Sequence, residues 1–591
     1  MLTRNQFAVL DTLRRSPHAT QEDIVLTSGI DRASVCDAVA GLHEKALIDD
    51  EGALTKQASI ALEPYRVDSA VILAAGTATR LAPLSFEMPK ALFKVRGELL
   101  IERLIRQLHQ AGVNRIAVVV GYMKEAFFYL EEKFQVSIVV SPEYATRNNH
   151  ASLFAAKEFL GNSYVCSSDQ YYADELFSPY VYAPYCSCTA VEGATDARTV
   201  QTDEAGRIRA LPYGGTDGWR LQGPAYFDRA LSARFIDIIG AEYDRPDTPG
   251  KLWDDILADH LDELCVYARR IPAGGLYEFD VLNDLVAFDR DYFVNVDSRI
   301  LDNICSTLGC ARTDISHVRP VKEGLTNLSV RFDARGRTYV YRHPGVGTEE
   351  LINRQSETFA EKTARELGLD TTFVYENPDE GWKISAFMDG CEPFDYRDEA
   401  QVAHALSMAR VLHTSGARSP WSFDFYDDAV RLRGMLRRAS YPVPVDFDAL
   451  SDAIADVHRR MQVDVGEPCL CHNDFYGPNL LVRGDEMQLI DWEYAAMGDY
   501  ACDLGNFVAQ GSGYSVPEAV DMLKYYFGRP PTEREARHCV AAVAVVGYYW
   551  YVWAIFKEAK GNPMGEWLYT WYKAAKRFCA AANEMYGDDV G

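Results

Sequence analysis

Over the first fifty residues apolar positions recur every three to four residues, which predicts helices at Thr3 to Arg15, Thr20 to Ser28 and Asp31 to Leu47. The turn Asp49-Asp50-Glu51-Gly52 and an apolar strand follow. From Asp68 the pattern alternates between short apolar runs and helical spacing: a strand Ser69 to Leu73, a helix Leu99 to Ala111 and a strand Arg115 to Val120. This β-α-β order predicts a mostly parallel sheet covered on both faces. Near Asn295 it gives way to a helix at Ser298 to Gly309 and strands at Leu328 to Phe332 and Thr338 to Arg342, then from about Ala400 to a mainly helical stretch. At 591 residues the chain exceeds one core. The changes of period divide it into 1–65, 66–292 and 293–591.

One run interrupts the pattern. Cys539 to Phe556 carries no charge and is nearly long enough to cross a bilayer. Its six aromatics crowd into the second half instead of forming two interfacial belts, so the run is expected to be the buried helix of a soluble domain.

Composition narrows the chemistry. A net charge of −26 argues against an extended nucleic-acid or anionic-membrane surface and leaves only local phosphate binding. Thirteen scattered cysteines without a C-x-x-C pair, and an N-terminus without a secretory apolar region, point to a reduced, cytoplasmic protein.

Two segments carry chemistry. After the first strand of the middle region comes AAGTATRLAPLSFEMPKALFKVRG, Ala74 to Gly97. Its glycine-containing turn exposes backbone N–H groups at Ala75, Gly76 and Thr77 that suit polyphosphate, and Arg80 and Lys90 bring charge to the transferred phosphate. The string resembles the G-x-G-x-R-L-x-P…P-K signature of sugar-phosphate and choline-phosphate nucleotidyltransferases, with Ala78 in place of the second glycine. Asn148-Asn149-His150-Ala151-Ser152-Leu153 resembles a segment of the bacterial CTP:phosphocholine cytidylyltransferases. That resemblance implies Asp169, in Ser168-Asp169-Gln170, and Asp280, in Tyr277-Glu278-Phe279-Asp280, as Mg²⁺ ligands against CTP. It also implies Trp253 and Asp254 as a wall for a quaternary ammonium.

In the last region, His472-Asn473-Asp474-Phe475-Tyr476-Gly477-Pro478-Asn479 has the H-x-D-x-x-x-x-N spacing of protein-kinase-like catalytic loops. Asp474 can take a hydroxyl proton, and Asn479 and Asp491 can hold Mg²⁺. Glu323 to Asn327 resembles the short nucleotide loop of choline and aminoglycoside kinases, which implies Asn327, Arg342 and its partner Glu357 at ATP, and a hinge at Phe387 and Met388. The run Ile490-Asp491-Trp492-Glu493-Tyr494 and Asp499 to Asn506 resemble choline and ethanolamine kinases. Glu493 and the pair Trp550 and Trp553 would then receive the ammonium group, with Tyr569 and Tyr572 as a further wall.

The first region resembles a winged helix-turn-helix. Its recognition helix carries Asp37 and Glu44 against Arg32 and Lys45, which argues against specific DNA contacts. The expectation is therefore an α/β multidomain chain: a winged helix, a Rossmann-like nucleotidyltransferase and a bilobal kinase-like domain. The implied reactions are choline plus ATP to phosphocholine, then phosphocholine plus CTP to CDP-choline. The same reactions on ethanolamine or another amino alcohol, and a choline-metabolite-sensing transcriptional regulator, stand as alternatives.

Overall fold

Thr3, Thr20 and Asp31 each accept a backbone N–H three residues on, and so start helices α1 (Arg4–Arg15), α2 (Gln21–Ser28) and α3 (Arg32–Glu44). A left-handed Ala46 ends the third helix before Leu47, and a bridge between Ile48 and Leu54 forms a minimal wing. The expected strand after the wing is instead helix α4 (Lys56–Leu62), whose Ala58 and Leu62, four residues apart, bury into the same core. The computed structural model describes residues 1–173, 175–321, 328–345 and 352–587, which divide into units Met1–Asn303 and Ile304–Gly591.

Within the first unit the winged helix rests on the nucleotidyltransferase-like region by its α1 side. Tyr65 stacks on Tyr182 at 5.5 Å and Phe7 tilts against both rings. Asp37 and Glu44 on α3 remain exposed.

The middle region is built on β1 (Ser69–Ala74), α5 (Leu100–Gln110), β2 (Ile116–Val120), β3 (Ser137–Val140), α6 (Asn149–Ala155), β4 (Ser163–Ser167), β5 (Gln170–Tyr172), β6 (Tyr185–Arg198), β7 (Tyr213–Phe227), α7 (Arg229–Glu242), α8 (Trp253–Asp259), β8 (Tyr267–Ile271) and β9 (Leu276–Glu278). The main sheet runs β8-β6-β7-β4-β1-β2-β3, antiparallel only where β7 meets β4 and β6. The buried strand residues alternate between two cores. Ile72 and Val118 face the α5 side, and Val71 and Val119 face the α6 and α7 side.

Helix α9 (Arg299–Leu308) leads into the second unit. A five-stranded antiparallel sheet follows, ordered β10-β11-β12-β14-β13 from β10 (Ser316–Val321), β11 (Leu328–Ala334), β12 (Arg337–His343), β13 (Phe373–Glu376) and β14 (Lys383–Ala386), with α10 (Arg354–Glu366) before β13. The helical lobe has α11 (Glu399–His413), α12 (Phe425–Arg438), α13 (Phe447–Met461), α14 (Tyr500–Ala509), α15 (Glu533–Ala559) and α16 (Glu566–Tyr586). Four short strands carry its catalytic loops: β15 (Cys469–Cys471) with β18 (Ala496–Gly498), and the hairpin β16 (Leu480–Arg483) with β17 (Glu486–Leu489).

The uncharged run from Cys539 to Phe556 lies in α15 and every one of its residues is buried, surrounded by α12, α13, α14 and α16. Two glycines permit that depth. A Cβ at Gly505 would stand 2.9 Å from the Ala542 carbonyl carbon, and one at Gly547 would stand 3.0 Å from the Ala575 nitrogen.

Candidate active sites

In the first unit β1 ends under the nucleotide-loop segment. Ala75 is buried and its carbonyl accepts Tyr122 N–H at 3.1 Å, whereas Gly76 and Thr77 are exposed. Ala78 sits at φ 50°, in the left-handed region where a Cβ costs roughly 1 kcal/mol. The turn therefore keeps the backbone that the missing glycine would have favoured.

Antiparallel pairing of β5 with β9, Gln170 opposite Glu278, brings Ser168-Asp169 beside Phe279-Asp280, and Phe279 N–H donates to the Asp169 carbonyl at 3.3 Å. Both signature cations meet these carboxylates. Lys90 pairs with Asp169, and Arg80 Nη2 lies 3.4 Å from Asp280 Oδ1. Burial opposes charge on Asp169, but the Lys90 ammonium outweighs it and holds the carboxyl below its usual range. Asp169 Oδ1 is buried and has no hydrogen-bond partner among the described residues, so one carboxylate oxygen is left as an unspent acceptor. Glu278, to which the sequence pattern gives no role, is pushed up to about 7 by burial and by Asp169. It accepts from Gln170 Nε2 at 3.0 Å and Gln222 Nε2 at 2.9 Å.

The Asn148–Leu153 motif fastens a neighbouring loop. Asn148 Nδ2 donates to the Gly250 carbonyl at 3.1 Å, Asn149 Oδ1 accepts Trp253 N–H at 2.8 Å, and His150 Nδ1 donates to the Lys251 carbonyl at 2.7 Å. Trp253 then opens α8 with its ring edge on Phe227, 5.8 Å between centroids. Asp254 is buried and paired with Arg198 at 2.9 Å.

In the second unit the segment after β15 is held from below. Both oxygens of buried Asp503 accept backbone N–H groups, from His472 at 2.8 Å and Asn473 at 2.7 Å, and Oδ2 also meets His413 Nε2 at 2.9 Å. Asn473 (φ 62°) and Asp491 (φ 68°) are left-handed, a conformation that Asn and Asp tolerate best among residues with a Cβ. Asp474 accepts Gln510 Nε2 at 2.8 Å and Asn479 Nδ2 at 3.0 Å. Burial and then the charge of Asp491 push the Asp474 carboxyl up to about 7. Asn479 spends its amide nitrogen on Asp474, so its Oδ1 and the half-exposed Asp491 carboxylate are both oxygen donors of the kind a hard cation takes.

Arg342 and Glu357 form an ion pair that is buried. Around it lie Glu376 at 3.3 Å from Arg342, Arg354 at 2.7 Å from Glu357, and Lys383 at 3.5 Å from Glu357. Burial works against Glu357's charge, and Arg342 followed by Lys383 drives its carboxyl far below the usual range. Arg342 Nε and Nη1 are buried and donate no hydrogen bond to a described residue, while Nη1 lies 3.6 Å from Asp491. Two buried guanidinium donors are thus left unspent, one of them beside Asp491. Phe387, just past β14, donates its N–H to the Thr338 carbonyl, and Met388 follows it half-buried. Asn327 and the loop Glu323 to Asn327 lie outside the described residues.

Next to Asp474 stands an aromatic wall. Trp550 and Trp553 on α15 meet at 5.4 Å, Trp571 of α16 stacks on Trp550 at 5.7 Å, and Trp567 stacks on Trp571 at 5.4 Å. Tyr494 abuts Trp550 at 5.7 Å. Trp550 Nε1 donates to Asn506 Oδ1 at 2.7 Å, and Asn506 Nδ2 donates to the Asn473 carbonyl at 3.0 Å. Burial and then Asp491 push Glu493 up to about 8.

Comparison with known proteins matches each region. Residues 2–53 match the MarR family, 70–183 the MobA-like NTP transferase domain and 317–539 the phosphotransferase enzyme family. A 2-aminoethylphosphonate cytidylyltransferase of Lancefieldella rimae is 36% identical over 231 residues, 38% of this chain and 93% of that protein. A choline-phosphate cytidylyltransferase of Streptococcus pneumoniae is 33% identical over 216 residues, 36% of this chain and 94% of that protein.

The chain belongs to the cytidylyltransferase family.

Beyond its cytidylyltransferase domain, the chain is 23% identical over 269 residues to Protein LicA of Haemophilus influenzae, 44% of this chain and 97% of that protein. It is a fusion of a MarR-like winged helix, a cytidylyltransferase and a kinase-like phosphotransferase.

Two expectations about the phosphotransferase wall are corrected. Tyr569 is 60% exposed, and Tyr572 turns its hydroxyl to Asp446 Oδ2 at 2.6 Å, so neither joins the tryptophans. Trp567 and Trp571 occupy that side instead. In the cytidylyltransferase domain, Arg198 already neutralises Asp254, and the Trp253 ring packs against the core under the sheet.

Proposed function

We propose that this enzyme phosphorylates choline with ATP in its second unit and condenses the phosphocholine with CTP in its first, giving CDP-choline and pyrophosphate. The observation that carries the reading is the hydrogen-bonded path from Trp550 through Asn506 to the backbone of Asn473, which ties an aromatic wall for an ammonium group to the base Asp474. Asp474 takes the choline hydroxyl proton, positioned by Gln510 and Asn479. Arg342, fixed by Glu357, steadies the ATP phosphates, and Phe387 and Met388 receive adenine. Trp550, Trp553 and Trp571 present π faces to the trimethylammonium group, with Glu493 beside them.

In the cytidylyltransferase domain the attacking phosphate oxygen is already ionised at neutral pH, so positioning and charge carry the rate. Lys90 and Arg80 face the transferred phosphate, and the turn Ala75-Gly76-Thr77 holds the CTP phosphates by backbone N–H groups. Asp169 and Asp280 would hold Mg²⁺ there, and Asn479 and Asp491 would hold it in the kinase. Bound Mg²⁺ neutralises charge on the nucleotide phosphates.

The test is purified protein given choline, ATP, CTP and Mg²⁺ and followed by phosphorus NMR, with ethanolamine and 2-aminoethylphosphonate as competitors. Phosphocholine followed by CDP-choline is expected, and preferential consumption of a competitor would replace choline in the reading.

A further inference from the structure

Trp553 already carries a cation. Lys557 follows it by one helical turn on α15, so its side chain returns over the same face, and its Nζ lies 5.0 Å from the Trp553 ring centroid. Among the described residues this is the one lysine or arginine placed over a ring of the set Trp550, Trp553, Trp567 and Trp571. Lys557 is half-buried. That burial disfavours its charge, and Glu493, which faces it from the β17 end of the catalytic segment, supports it.

A π face holds one ammonium at a time, because two cations against the same ring repel each other in a medium less polar than water. Resting on the reading of the tryptophans as the choline wall, we propose that Lys557 is a specificity-determining residue: its ammonium is the resident occupant of the Trp553 face, and the substrate's ammonium binds by displacing it. The hydroxyl end of the substrate, directed at Asp474, is untouched by the exchange, so Lys557 sets how tightly a cation must bind to enter. A neutral amino-alcohol analogue gains nothing that would drive Lys557 from the ring.

The variants Lys557→Met, which keeps the length and removes the charge, and Lys557→Arg, which keeps a cation over the ring, test this in the full chain. Titration with tetramethylammonium chloride, followed by tryptophan fluorescence at constant ionic strength, reads the wall without any turnover. Lys557→Met is expected to lower the Kd for tetramethylammonium and the KM for choline by about fivefold or more, with kcat and the KM for ATP unchanged, while Lys557→Arg stays within about twofold of the parent. An unchanged or raised Kd in Lys557→Met, with the far-UV circular dichroism of the parent, would overturn the displacement. A fall in kcat without a fall in KM would equally overturn it and place Lys557 at the phosphate instead. Failure of the underlying reading is distinguishable: the parent enzyme would then neither bind tetramethylammonium nor phosphorylate choline.

Discussion

The indole Nε1 of Trp550 donates to Asn506 Oδ1 at 2.7 Å, and through it a residue of the apolar helix reaches the loop that bears Asp474. Asn506 Oδ1 also accepts Gln510 Nε2 at 3.0 Å, and Gln510 in turn donates to Asp474. Trp550 and Asp474 are thus linked through two shared amide side chains, Asn506 and Gln510.

Trp550→Ala is therefore expected to raise the KM for choline about tenfold or more, the worth of a desolvated cation-π face, with the KM for ATP changed less than twofold. Trp550→Phe keeps a ring but loses the donor to Asn506, so its larger effect is expected in kcat. Equal rises in both KM values, measured by steady-state kinetics, would assign the tryptophan to core packing alone.

Glu357 is the anion on which Arg342, Arg354 and Lys383 converge. Glu357→Gln is expected to lower stability by about 3 kcal/mol, because it leaves buried cations undercompensated, and to raise the KM for ATP. Urea unfolding measures the first, and the double variant Glu357→Gln, Arg342→Met should unfold at a higher urea concentration than Glu357→Gln alone. A single variant with the parent's midpoint would mean that the ion pair does not stabilise the fold.

Asp474 provides a pH dependence with a definite sign. Its folded pKa, pushed up to about 7, lies above that of the unfolded chain. Ionisation thus favours the unfolded state, and stability falls as pH rises from about 4 to about 7 and then levels. Asp474→Asn is expected to melt higher than the parent at pH 8 and close to it at pH 4. The kcat/KM for choline in the parent should climb with pH and level above about 7, since only the carboxylate can take the proton. A flat profile over pH 5 to 8 with chemistry rate-limiting would contradict Asp474 as base.

Much of this was legible along the chain. The alternation from Ser69 to Val120 announces the sheet because each β-α-β unit carries its own period, and His472 to Asp491 carries its chemistry in local spacing. What was not legible depends on how distant elements face each other. Tyr569, Trp571 and Tyr572 lie within one turn of α16, and the close approach of that helix to α15 at Gly547, with Trp571 turned to Trp550 and Tyr572 to Asp446, is a relation between distant segments. The burial of Arg342 with Glu357 requires α10 to pack behind β12 and β14, which no local pattern states. The helix α4 replaced an expected strand because seven residues containing two buried positions fit either period. Lys557 reads as an ordinary charged helix end until the ring beneath it is seen.

The division of labour between the two units is tested most directly by two substitutions in one phosphorus NMR assay. Asp474→Asn is expected to abolish phosphocholine formation from choline and ATP while leaving CDP-choline formation from supplied phosphocholine and CTP. Lys90→Ala, which removes the partner of Asp169, is expected to do the reverse. If either substitution stopped both half-reactions in a protein with the parent's circular dichroism, two independent active sites in one chain would be contradicted.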